Sequence, residues 1–194
     1  VTIPWRWVIA GVLATALGVW LVTLWLPNWL ADRPTPGQTA ASLPGDPAQP
    51  ETRRIHASLF YVAPSGDALI AVDREVPYAA SPTAQARVIV SAQLAAAPEG
   101  YLSAIPQGAD VRAVFLTSRN EAFVDISSAL VANHPGGSLH EALTVYAIVN
   151  ALTVNLPDIT AVQILIDGRE VDTLAGHIDL RNPLARAQKW IAPQ

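Results

Sequence analysis

From Trp7 to Leu26 the chain runs for 20 residues, WVIAGVLATALGVWLVTLWL, without a single charged side chain. A helix rises about 1.5 Å per residue, so this stretch spans about 30 Å, the thickness of a bilayer's hydrocarbon core. Trp5 and Trp7 stand at one end, and Trp25 and Trp29 at the other, where indole rings favour the headgroup boundary. A cleaved signal peptide has a shorter apolar region followed directly by a small-residue cleavage site. Pro27-Asn28-Trp29-Leu30 offers none. The segment therefore reads as a transmembrane anchor within residues 1–30, touching the membrane through residues 5–29. Arg6 precedes the helix, while Asp32 and Arg33 cancel after it. The positive-inside rule then favours a cytoplasmic N-terminus and an exported C-terminal domain.

Residues 31–52, ADRPTPGQTAASLPGDPAQPET, hold five prolines and two glycines and almost nothing apolar enough to bury. Such a linker stays open, reaching at most about 3.1 Å per residue in polyproline form. The remaining residues, 53–194, suit one domain with one core.

Arg6 is the only charge in the first 30 residues, which leaves 11 basic and 16 acidic side chains downstream. A balance of −5 disfavours nucleic acid or anionic lipid as a partner held by charge. The chain has no cysteine. That excludes disulfides, thiolate catalysis, iron–sulfur clusters and a lipid-modified N-terminal cysteine.

Along the domain, Ile55–Ala63 and Ala68–Val76 alternate around the turn Pro64-Ser65-Gly66-Asp67 and read as a hairpin. Ser81-Pro82 opens a helix that is expected to run to the alanines before Pro98. Val111–Thr117 and Glu121–Ile126 flank the turn Ser118-Arg119-Asn120 as two more strands. Ser138-x-x-Glu141 has the spacing of a capping box, and the helix after it runs to Asn155, just before Leu156-Pro157. Apolar residues cover most of that helix, so it is expected to lie centrally or to be shared with a neighbour. Ala161–Ile166, a turn at Asp167-Gly168 and Arg169–Val171 follow. Asn182-Pro183 is expected to start a last short helix over 184–191. Strands interrupted by two main helices predict an α+β fold with a small mixed sheet.

Three phrases then carry a resemblance: LFYVAPSGDALIAVDREV, LSAIPQGADVRAVFLTSRNEAFVDIS and LTVYAIVNALTVNLPDITAVQILIDGREV. In this order, over residues 54 to 184, the chain resembles the GerMN domain, a module named after a bacterial spore-germination protein. The resemblance implies a fold like the ring-building α/β modules of secretion and sporulation assemblies, carried outside the cytoplasm on lipoproteins or membrane anchors. It implies no catalytic residue and no cofactor. This chain departs from the namesake in having one copy of the domain where that protein has two.

His140-Glu141 lacks the second histidine at i+4 that a zinc site needs. His134 and His140 read as surface or capping groups, and His56 and His177 have no acid at ligand spacing. Ser138 lacks the second glycine of a nucleophile elbow. Asp73 with Glu75, or Asp110 with Asp125, are possible paired acids. Alternation puts Asp73 and Glu75 on one solvated strand face, and Asp125 reads as a turn or capping acceptor. Trp190, with Arg186 and Lys189, is expected either to dock on a partner or to pack on its own domain. No catalytic, cofactor or metal residue is assigned. The expected function is a non-catalytic, membrane-anchored extracytoplasmic module that binds a protein partner, with a ligand- or cell-wall-sensing domain as the alternative.

Overall fold

A computed structural model describes residues 53–193. The anchor expected at 1–30 and the linker at 31–52 lie outside the described residues. Among the described residues, no helix is long and apolar enough to cross a membrane.

The first hairpin forms as its alternation predicts. Strand β1 (Arg54–Val62) pairs antiparallel with β2 (Leu69–Pro77), closed by the Ala63 N–H on the Ala68 carbonyl at 2.8 Å. Gly66 sits at φ +80°, a conformation that a side chain at this turn would strain. This hairpin is a two-stranded sheet of its own. The expectation of one small mixed sheet is corrected here: the described residues form two sheets. What replaces a third strand beside β1 is side-chain amide. Asn155 and Gln93 bond the backbone of Ser58 and Phe60, and Leu102 accepts from Val62.

Helix α1 (Pro82–Leu94) starts at Ser81, whose hydroxyl accepts from the Ala84 N–H at 3.2 Å. It ends three residues short of Ala97, because the chain must turn back to lay Leu102 beside Val62. Strand β3 (Val111–Leu116) and β4 (Glu121–Ile126) form the second hairpin, with a bulge between Val111 and Ala113. A one-turn helix α2 (Ala129–Ala132) and the long α3 (Ser138–Asn155) then cross over, so that β5 (Ala161–Ile166) lies parallel to β4. Asp167 at φ +48° and Gly168 at φ +76° make the tight turn into β6 (Arg169–Glu170). The result is a mixed five-stranded sheet, in which β7 (Leu184–Ala185) also pairs with β5.

Helix α3 is the centre of the domain. Leu143, Val145, Ile148, Val149 and Leu152 are all at most 1% exposed. Full burial of such side chains stabilises by about 1.5–3 kcal/mol each. Of the two expectations for this helix, central burial holds; β1, β5, β7 and α1 of its own domain pack around it.

The last helix expected over 184–191 is overturned. Leu184–Ala185 pairs with Ala161 and Val162, and only Gln188–Trp190 forms a 3₁₀ turn. The amide of Asn150 takes the Ala187 N–H at 3.1 Å. Eight residues are too few for a helix to hold without packing. Here tertiary partners claim the backbone groups that a helix would use.

Candidate functional site

The densest polar constellation surrounds Glu141. Its carboxylate is fully buried and accepts from the N–H groups of Leu174, Ala175 and His177 at 2.9, 3.0 and 2.8 Å. The His177 ring adds a fourth bond from Nδ1 at 3.0 Å. Burial by itself pushes this carboxyl up, but the donors of Ala175 and His177 outweigh it and hold the group below the usual carboxylate range. The capping box is thereby corrected. Gly137 stands at the N-cap of helix α3 and offers no side-chain cap, and the Glu141 N–H bonds the Gly137 carbonyl. A carboxylate offered four converging donors by one loop does not turn back to a single N–H of its own helix. His177, without an acid at ligand spacing in sequence, has one in space.

Beside it, His134 takes the Gly136 N–H on Nδ1 at 3.0 Å and meets Thr144 Oγ1 through Nε2 at 3.2 Å. Thr144 donates its own proton to the Ala104 carbonyl at 2.6 Å, so Nε2 carries the proton and the ring is neutral. Burial is the largest effect and pushes this imidazole down. His140 stays on the surface, within 3.3 Å of the Gly136 carbonyl.

The other sequence candidates are dispersed. Asp73 accepts from Ser58 Oγ at 2.9 Å, and Glu75 pairs with Arg54 at 3.3 Å, both on an exposed strand. Asp125 accepts from Arg112 at 3.2 Å and from the Gly168 N–H at 2.7 Å, a turn contact of the kind read from VDIS. Asp110 meets Ser127 only through its backbone, so it makes no acid pair with Asp125. Trp190 packs on its own domain, stacked on Tyr146 with ring centroids 5.8 Å apart.

None of this assembles a nucleophile with a base. Glu141–His177 has the form of an orienting acid and its histidine, yet no hydroxyl bonds the ring among the described residues. Thr144, the hydroxyl next to His134, is fully buried. Sequence reading missed the Glu141–His177 pair because its partners are 36 residues apart and join only through the loop.

Concave surfaces are also present among the described residues. A groove of about 520 Å³ is lined by Ile55, Tyr78, Leu116, Leu156, Ile159 and the exposed Asp158. A second, of about 400 Å³, lies between Leu102, Ile105, Pro135, His140 and Leu143. Among the described residues, Leu102 at 72% and Phe115 at 58% exposure are the most open large apolar side chains.

Comparison with known proteins bears on this geometry. A lipoprotein-described chain from Clostridium perfringens shares the fold, with a TM-score of 0.50 at 19% identity, over 70% of this chain and 89% of that one. The tandem GerMN domains of the sporulation protein GerM from Bacillus subtilis match with a TM-score of 0.53 at 18% identity, over 69% of this chain. The chain spans only 46% of that tandem structure. No curated protein sequence matches. The Germane family model, "sporulation and spore germination", matches residues 58–172, more than half of the chain. This α+β domain, with its central helix and its two sheets, belongs to the Germane (GerMN) family.

Proposed function

We propose that the chain is a non-catalytic assembly module, anchored in the bacterial cytoplasmic membrane through residues 5–29, whose extracytoplasmic domain binds a protein partner. One observation carries this reading. The buried polar side chains bond inward to the chain's own backbone, as Glu141, Gln93, Asn150 and Thr144 do, while Leu102, Phe115, Tyr78 and Tyr101 stand open to solvent. Exposed aromatic and aliphatic groups above a rigid scaffold suit recognition of another protein more than bond-breaking. The charge-free 20-residue segment supports the anchor, and a lipoprotein-described relative supports an envelope location.

Helix α3 is closed to a partner. Because that helix is covered by its own domain, a partner must meet strands, loops or edges instead. Photo-cross-linking of the full chain in native membranes, with a photoreactive residue at Leu102 or Phe115, is expected to yield discrete heavier products. Recovery of the lone monomer from every position would defeat the proposal.

A second reading, a ligand- or cell-wall-sensing domain, is favoured by the 520 Å³ groove. It predicts thermal stabilisation by soluble peptidoglycan fragments; an unchanged melting temperature at millimolar fragment removes it.

A further inference from the structure

The two outer edges of the first hairpin are filled to different extents. In the β1–β2 register, residues 55, 57, 59 and 61 exchange bonds with β2, so 56, 58, 60 and 62 point their backbone groups outward. The last three of these are taken, Ser58 by Asn155, Phe60 by Gln93 and Val62 by Leu102. On β2 the outward residues are Leu69, Ala71, Asp73 and Glu75. Leu69 pairs in parallel with Ile191, and its carbonyl accepts from the Ala192 N–H at 2.7 Å. Arg54 takes the Glu75 carbonyl at 3.1 Å. Ala71 and Asp73 bond no strand among the described residues. The β1 edge is thus closed from Ser58 to Val62, while the β2 edge is occupied at Leu69 and at the Glu75 carbonyl and open at Ala71 and Asp73 between them.

We propose that the outer edge of β2, from Ala71 to Glu75, is a docking strand for an extended segment of a partner protein in which apolar and basic side chains alternate. The idea rests on the assembly reading above and names its contact. An extended segment already sits on this edge at Leu69, so the edge accepts backbone pairing. The side chains then select the occupant. Asp73 and Glu75 are exposed on one face, and Asp73 has no cation within ion-pair distance among the described residues. On the other face, Ile70 and Val72 are only half-buried. An added strand with basic residues beside Asp73 and Glu75, and apolar ones beside Ile70 and Val72, matches both faces. A second copy of β2 is disfavoured, since it would bring its own Asp73 and Glu75 against this pair.

The test uses the full chain in neutral detergent with a capped nine-residue peptide of alternating valine and lysine, and a valine–glutamate peptide as control. The lysine peptide is expected to bind and to slow hydrogen exchange of the Ala71 and Asp73 amides at least tenfold. The double variant Asp73→Lys/Glu75→Lys is expected to reverse the preference to the glutamate peptide, and the neutral pair Asp73→Asn/Glu75→Gln to abolish it. Ala71→Pro removes an outward N–H that β1 does not use, and is expected to abolish binding with the fold intact. Equal binding of both peptides, or binding without protection at Ala71 and Asp73, overturns the proposal. Membrane cross-links that persist unchanged in Ala71→Pro would also overturn it, while leaving the assembly reading in place.

Discussion

Asn155 grips Ser58 from 97 residues away with both halves of its carboxamide, Oδ1 accepting from the Ser58 N–H and Nδ2 donating to the Ser58 carbonyl, each at 2.8 Å. Gln93 does the same to Phe60, at 2.8 and 2.7 Å. Two helices thereby imitate a neighbouring strand, and a single hairpin too small to stand alone in water becomes part of the core.

Removing those amides should loosen the hairpin. Asn155→Ala and Gln93→Ala each leave an N–H and a carbonyl of β1 without a partner, at a cost of about 1–3 kcal/mol per orphaned group. Gln93 is the more buried, so its loss should be the larger. Urea midpoints check this, and a double-mutant cycle should show coupling, because both side chains seal one edge. Midpoints within error of the parent would refute the strand-mimic account.

The Glu141 carboxylate predicts an acid limit. Its folded value lies below the ordinary 4.5, so its contribution is full above that value and is lost as the pH falls through the folded one. Glu141→Gln keeps an acceptor but no charge, and should flatten stability against pH below about 4.5. Glu141→Ala leaves the Leu174, Ala175 and His177 N–H groups unpaired and should cost about 3 kcal/mol or more. Melting temperatures of the three proteins between pH 3 and pH 7 distinguish the cases.

His134 should titrate below its ordinary 6.5. Protonating Nδ1 would force it against the Gly136 N–H that it now accepts. The neutral ring therefore belongs to the folded state. Its stabilisation is complete above 6.5 and is lost as the pH drops through the folded value. Nitrogen-15 shifts of the ring should report the Nε2–H tautomer at neutral pH; a protonated ring at pH 6.5 would contradict the network.

Trp190 should matter to the domain itself. Its ring stacks on Tyr146 at an interplanar angle of 24°, with Lys189 over it at 5.4 Å. The aromatic pair contributes about 0.5–1.5 kcal/mol beyond area burial. Trp190→Ala should lower the melting temperature, and Trp190→Phe should recover part of the loss. A full-chain variant with unaltered melting would mean that the C-terminal turn is not part of the fold.

The first hairpin, the Ser81-Pro82 helix start, the β3–β4 hairpin, the long helix and the Asp167-Gly168 turn were legible because each is written in neighbouring residues. Alternation, a capping hydroxyl and a tight-turn pair act within a few positions. Glu141 and the last segment were misread for the opposite reason. Ser138-x-x-Glu141 offers one local bond, and the 171–178 loop brings four donors that no nearby residue announces. Asn182-Pro183 permits a helix, yet pairing with β5 and the Asn150 amide decides otherwise.

Local pattern by itself thus determined which stretches become strand or helix up to β6, and the three phrases determined the family. Only tertiary structure decided how the strands divide into two sheets, where each buried polar group finds its partner, and which strand edge stays open. Those outcomes depend on groups tens of residues apart meeting in a low-dielectric interior, where an unmet bond is costly and the best available partner prevails over the nearest one.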